Sequence, residues 1–300
     1  MECAYYFGFC RSRQSLIQVS PSGLMSLVCD ATHGSRRGLP SAALRAEWIA
    51  PPQLNEFLMS ITTPSPSPAI CIRGLSHWFG DGDSQKQILF DIDFDVRAGE
   101  VVILTGPSGC GKTTLLSLIG GLRSVMKGSV HVLGRELFNA PIDDVIATRR
   151  QTGFVFQLHN LLDFLTARQN VQMSVQLDTA IPARDRLRRV DAMLAKVGLS
   201  DRLDYYPAAL SGGQRQRVSI ARALAGEPRL VLADEPTAAL DSLSGRHAVE
   251  LLQKMAREQG SSVLMVTHDT RILDIADRVV HMEDGRMQPG FVGKRSAGTR

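Results

Sequence analysis

The stretch Gly106-Pro107-Ser108-Gly109-Cys110-Gly111-Lys112-Thr113 limits what this chain can fold into more than any other. It follows the apolar run Val101, Val102, Ile103 and Leu104, which reads as a buried strand, and it opens the helical pattern Leu115, Leu116, Leu118 and Ile119. Strand, glycine turn and helix in that order give the G-x-x-x-x-G-K-[ST] pattern the setting of a phosphate-binding loop. Glycines let the backbone curl until successive N–H groups converge on phosphate oxygens, at a helix end whose dipole already favours an anion. Lys112 would then reach the β and γ phosphates, and the Thr113 hydroxyl would ligate Mg²⁺. The plainer alternative, a glycine turn that only caps a helix, leaves the lysine and threonine unexplained.

Such a loop implies a nucleotide without saying what the nucleotide is for. The 300 residues are 44% hydrophobic and 21% charged, which suits one α/β domain of moderate size plus extra segments. The net charge of +4 comes from scattered Lys and Arg, giving no support for a nucleic-acid partner. Five cysteines without paired spacing fit a reducing compartment better than a disulfide framework. No apolar run approaches the roughly 18 residues that span a bilayer, so a membrane role has to come through a partner. Glu2, Arg11 and Arg13 interrupt the first residues and argue against a signal peptide.

In chain order, residues 1–68 lack sustained periodicity and end in the Pro/Ser run Thr62-Thr63-Pro64-Ser65-Pro66-Ser67-Pro68. They read as a disordered extension or an over-long start, with Met59 as the beginning of the functional chain. Ile70 to Leu75 and Ile88 to Val96 read as antiparallel strands joined by a loop that holds Trp78, Phe79 and Gly80-Asp81-Gly82-Asp83. Phe79 could stack on a base or pack in the core. Further strands are expected at Gly128–Leu133, Gly153–Phe156, Leu230–Ala233 and Ser262–Val266, and helices at Ile142–Arg150 and around Leu187–Val197. Residues from about 158 to 227 read as a helical insertion between two parts of a nucleotide-binding core. Residues 288–300 form a basic tail.

Leu210-Ser211-Gly212-Gly213-Gln214 precedes a further helical run. Ser211 and Gln214 have capping-box spacing, so the motif could merely start a helix. The same geometry leaves N–H groups and a hydroxyl at a positive helix end, which is also an anion site, and the glycine pair permits close backbone approach. This pentapeptide beside a phosphate loop resembles the signature of the ATP-binding-cassette superfamily. The resemblance covers roughly residues 69–287 and implies a P-loop NTPase core of RecA-like type, an antiparallel β subdomain and an inserted α-helical subdomain.

Its other landmarks follow in order. Asp234 would hold the Mg²⁺ shell and Glu235 would polarise the attacking water. Ala239-Leu240-Asp241 resembles the D-loop, and His268 resembles the switch histidine at the γ phosphate. Gln157 matches the Q-loop glutamine, which senses the γ phosphate, joins the metal shell and touches the transmembrane partner. Phe79 stands where the family commonly places a tyrosine on adenine. The resemblance further implies that ATP on Gly106 to Thr114 of one copy is covered by Ser211 and Gly213 of a second copy, head to tail.

The wording of Leu118 to Ser124, His77 to Gly80 and Arg271 to Asp277 looks like the DevA-type subunits of glycolipid exporters, themselves similar to lipoprotein-release and macrolide-export ATPases. It implies a peripheral ATPase on the cytoplasmic face of the inner membrane. Its partners would be permease subunits and a membrane-fusion protein, and its cargo lipid-like. Asp163-Phe164 where proline is frequent, and Gln169 where glutamate is common, put the identity of the permease in doubt. The alternative is a soluble ABC ATPase acting on a scaffold partner.

Overall fold

The computed structural model describes residues 16–19, 25–28, 67–80, 82–176, 181–238 and 240–288. The chain divides into two units, Met1–Ile61 and Thr62–Arg300. In the first, β1 (Leu16–Val19) pairs antiparallel with β2 (Met25–Val28), Leu16 opposite Val28. The expected start at Met59, most of the Pro/Ser linker and the basic tail beyond Gln288 lie outside the described residues.

The second unit begins with β3 (Ile70–Phe79), β4 (Lys86–Val96) and β5 (Val101–Thr105), followed by α1 (Lys112–Ile119). Then come β6 (Lys127–Val132), β7 (Arg135–Glu136), α2 (Ile142–Arg150) and β8 (Thr152–Val155). A helical stretch follows: α3 (Ala167–Gln176), α4 (Ala183–Lys196) and α5 (Gly212–Leu224). The chain returns through β9 (Leu230–Asp234), α6 (Ser242–Glu258), β10 (Ser262–Val266), β11 (Arg278–Glu283) and β12 (Arg286–Gln288). Helices α3 and α6 go beyond the expected set.

The larger sheet has the order β12-β11-β5-β10-β9-β8, parallel from β11 to β8 with β12 antiparallel at the edge. A parallel sheet needs cover on both faces, which is why its strands are continuous apolar runs rather than alternating ones. Successive side chains point to opposite faces. Val101, Ile103, Val231, Ala233, Val263 and Met265 therefore join the core built with α3 to α6. Val102, Leu104, Leu232, Leu264 and Val266 join a second core with α1 and the smaller sheet.

That smaller sheet is antiparallel, in the order β4-β3-β6-β7. Strand β3 runs on to Phe79, opposite Lys86, so Trp78 and Phe79 belong to the strand and not to the connecting loop. Register shifts between Ile72 and Trp78 absorb the mismatch that would otherwise end the pairing near Leu75.

A half-buried fork fastens the two sheets together. Arg278 of β11 donates to both carboxylate oxygens of Glu100, at 2.8 and 3.1 Å, and to the carbonyl of Asp95 at 2.5 Å. The Glu100 side chain is 9% exposed, and also accepts from the Arg97 amide at 2.9 Å. Burial pushes the Glu100 carboxyl up, but the Arg278 fork and the Arg97 amide outweigh it and hold the group below the usual glutamate range. Glu100→Gln should cost about 1–3 kcal/mol in equilibrium denaturation at neutral pH. A carboxyl depressed by folding stabilises above its unfolded value and loses that contribution as pH falls through its folded value. The gap between wild type and variant should therefore close in acid, below the ordinary glutamate range; a pH-independent gap would contradict the assignment.

Candidate functional site

Because β5, β10, β9 and β8 are parallel, their carboxyl ends reach the same edge of the sheet. Ile103, Met265, Ala233 and Val155 share one row across the four strands, through the pairs Met265 with Ile103, Met265 with Ala233, and Val155 with Ala233. Two or three residues further along each chain stand Gly106, Thr267 and His268, Glu235, and Gln157. Ligands of open α/β sheets bind at such an edge. A cleft of about 360 Å³ opens there, lined by Phe79, Ser108, Gly109, Gly111, Lys112, Thr113, Thr114, Gln157, Glu235 and His268. Ile88 and Val266 line it too, apolar residues that no motif marks.

The glycine loop is fixed by close packing. Gly106 has φ 147°, and a Cβ there would run into the Met282 carbonyl oxygen. Gly111, at φ 106°, caps α1 in a left-handed conformation with no side-chain cap, so the first N–H groups of the helix stay free for a ligand. Lys112 is buried and its Nζ donates to the carbonyls of Gly106 and Pro107, both at 2.8 Å. Cys110 is buried as well, with its Sγ 3.7 Å from Lys112 Nζ. Its contribution to the loop is its backbone, since the sulfur faces inward.

Thr113 Oγ1 donates to Asp234 Oδ1 at 3.2 Å. Burial raises the Asp234 carboxyl above its ordinary range and the neighbouring Glu235 adds to this, against the Thr113 hydrogen bond and the Lys112 charge. A hydroxyl and a carboxylate are hard oxygen donors. No group of three His, Cys, Asp or Glu suited to a metal occurs among the described residues. A pair of protein oxygens in a phosphate cleft fits Mg²⁺, which keeps its waters and takes the rest of its shell from substrate phosphates.

Glu235 sits at φ 45°, rare and costly for a residue with a side chain. Its amide donates to the Val266 carbonyl at 2.9 Å, so β10 holds the turn in place. The bend brings Glu235 Oε1 to 2.9 Å from His268 Nδ1. Glu235 is 13% exposed at its side chain and His268 65%, a largely covered carboxylate beside an imidazole that reaches into solvent.

The signature residues lie elsewhere. Ser211 caps α5, accepting from the Gln214 amide at 3.3 Å while Gln214 Oε1 accepts from the Ser211 amide at 2.9 Å. The capping-box reading thus holds. None of Ser211, Gly212, Gly213 and Gln214 lines the cleft; Gly213 borders a separate hollow of about 570 Å³ with Arg217, Ser244 and His247. That hollow is larger than the cleft, but the phosphate loop, Asp234 and Glu235 are not among the residues around it. Asp241 caps α6, accepting from the amides of Leu243 and Ser244 at 3.2 and 3.0 Å, and Ser244 is the main cause that holds its carboxyl below the usual range. It does not line the cleft either, and Ala239 lies outside the described residues.

The family model described as ABC transporter matches residues 89–238. The chain is 39% identical over 220 residues to HrtA of Staphylococcus haemolyticus, named as a hemin import ATP-binding protein, covering 73% of this chain and 99% of HrtA. It is 40% identical over 222 residues to the macrolide export ATP-binding/permease protein MacB of Escherichia coli K12, which is 74% of this chain but 34% of MacB. It thus spans about a third of that relative. Among solved structures, the dimeric post-hydrolysis state of the ATP-binding cassette MJ0796 bound to ADP and Pi superposes with a TM-score of 0.68 at 34% identity, covering 73% of this chain and 96% of that one. The structure of cbiO1 from Clostridium perfringens, part of the transporter complex cbiONQ, gives 0.66 at 27% identity, covering 74% and 87%. The chain therefore belongs to the ABC transporter family and is an ATP-hydrolysing cassette with the P-loop NTPase fold.

Proposed function

We propose that this chain powers a separate transmembrane permease, works as a head-to-tail pair of identical copies, and serves export of lipid-like or hydrophobic cargo. The observation that carries the pairing is the division of the site. One copy gathers residues of the phosphate loop, Gln157, Glu235 and His268 in one cleft, with Asp234 bonded to the cleft's Thr113, while its Ser211 and Gly213 line none of it. A second copy can bring its own α5 end over the cleft, and the MJ0796 cassette named above is itself described as dimeric. Export follows the resemblance to MacB, whose name carries that direction, whereas HrtA is named for import. A macrolide and hemin are both bulky and largely apolar molecules, which supports a hydrophobic cargo.

The chemistry asks little covalent work of the protein. Lys112 supplies a positive charge that can exchange its two carbonyl partners for phosphate oxygens, and the N–H groups at the start of α1 hold the rest of the polyphosphate. Thr113 and Asp234 would hold Mg²⁺, which neutralises charge developing on the phosphates. Glu235 accepts a proton from the attacking water, and His268, hydrogen-bonded to it, fixes the carboxylate's direction. Phe79, which lines the cleft, would stack on the base, and Gln157, which also lines it, would sense the γ phosphate and touch the permease.

No helix among the described residues is long and apolar enough to cross a membrane. Just beyond Gln157, however, Leu158 is 77% exposed and Phe164 74%. Exposed side chains of that size, beside a residue that touches the nucleotide, suit a docking point for permease subunits on the cytoplasmic face.

Two contrasts test this reading. Glu235→Gln should bind ATP as wild type does and slow turnover by about 10² to 10⁴, accumulating dimers in MgATP, whereas Lys112→Ala should lose nucleotide binding itself. Normal hydrolysis by Glu235→Gln would remove the glutamate from its role. The pair Leu158→Glu and Phe164→Glu should leave ATP binding by the isolated chain unchanged and abolish co-purification with an integral membrane protein. Recovery of the wild-type chain with a soluble stoichiometric partner instead would contradict transport.

A further inference from the structure

The aromatic ring at Phe79 is held in a way that neither its strand nor any motif accounts for. The guanidinium carbon of Arg123 lies over the ring, 4.7 Å from its centroid. His77, two residues back on β3, meets the ring edge-on, with centroids 5.1 Å apart and planes at 87°. His77 is buried, and burial together with the nearby Arg123 charge keeps its pKa below the usual histidine value. It therefore offers the ring an uncharged wall at neutral pH. Phenylalanine has no hydroxyl with which to tether itself, so these two contacts fix its plane.

Phe79 and Arg123 border different hollows. Phe79 lines the nucleotide cleft together with Ile88 and Lys112, and Arg123 does not. Arg123 lines instead a neighbouring hollow of about 290 Å³ with Val125, Asn139 and Arg149, reached after α1 ends. With the cation on the side away from the cleft, the other face of the ring would be left for the base.

The geometry points to Arg123 as a positioning residue for base recognition, the far layer of a stack in which Phe79 is the middle and the purine of the nucleotide the near one. A cation over one face draws the ring's electron density toward itself and makes the opposite face a better partner for an electron-rich base. A ring already held flat also loses less freedom when the base settles on it. This inference rests on the proposed stacking of the base on Phe79 and adds to it the group that supports the ring.

The test compares ATP with inorganic tripolyphosphate, which has the phosphates and no base, by titration calorimetry on the full chain. Arg123→Ala should weaken ATP binding about two- to fivefold, as expected for losing one cation–π contact at an exposed site, and leave tripolyphosphate affinity unchanged. Unchanged or tighter ATP binding by Arg123→Ala would overturn the proposal, the latter by showing that the guanidinium covers the base's own face. Equal weakening toward both ligands would overturn it too, since Arg123 would then act only as a distant charge. Phe79→Ala separates the two levels. If it weakens ATP and spares tripolyphosphate while Arg123→Ala leaves ATP binding unchanged, stacking stands and the support fails; if it leaves ATP binding untouched, the stacking reading itself is wrong.

Discussion

The parallel pairing of β5, β10, β9 and β8 is the constraint on which the rest of this structure depends. Its hydrogen bonds place Ile103, Met265, Ala233 and Val155 in one row, and so bring four separate loops out at the same edge within a residue or two of each other. Slipping any strand by one residue would turn its apolar side chains to the wrong face and carry its loop away from the cleft. Burial and chemistry are thus settled together: the alternation that divides Val101 and Ile103 from Val102 and Leu104 between two cores also sets where Gly106, Asp234 and His268 emerge. The Glu100–Arg278 fork ties the opposite end of β5 to β11.

Against that stable frame, the site holds groups in states they would not choose alone. Glu235 keeps a left-handed backbone because its amide is tied to Val266, and strain of that kind is of order 1–3 kcal/mol. Asp234 is half-buried next to a second carboxylate, with the Thr113 hydroxyl and the Lys112 charge as the offsetting partners. The adjacent carboxylates raise the affinity of the edge for positive charge, which is what phosphates bearing a divalent cation would bring. The Lys112 ammonium already spans two loop carbonyls, so the loop's curvature is set before any anion arrives.

Much of this was legible in the residues. The phosphate loop, the apolar strands at Val101, Leu230 and Ser262, helix α2 and the Ser211 capping box all follow from local patterns. The assembly of Gln157, Asp234, Glu235 and His268 around the loop was implied by resemblance alone, since spacing along the chain says nothing about which strands become neighbours. Phe79 was placed in a loop because Gly80 and Gly82 follow it, yet bulges let β3 keep its partner. Helix α6 carries a readable spacing in Ala248, Leu252, Met255 and Ala256. Helix α3 carries less, with Gln and Asn through its middle and the buried Asn170 bonded to Leu162 and Leu165 carbonyls. The ring contacts of Arg123 and the backbone of Glu235 are tertiary in origin and leave no local mark.

In the proposed pairing, the end of α5 from a second copy supplies a lid for the cleft that its own copy's α5 does not line. Complementation between two disabled chains tests that division most directly. Lys112→Ala removes the cradle and Ser211→Arg blocks the lid, so each variant should be inactive alone. Mixed in equal amounts, they form pairs in which one of the two composite sites is intact, and ATP hydrolysis should reappear as a fraction of the wild-type rate. A mixture as silent as its components, with mixed pairs demonstrably formed, would contradict a site shared between copies.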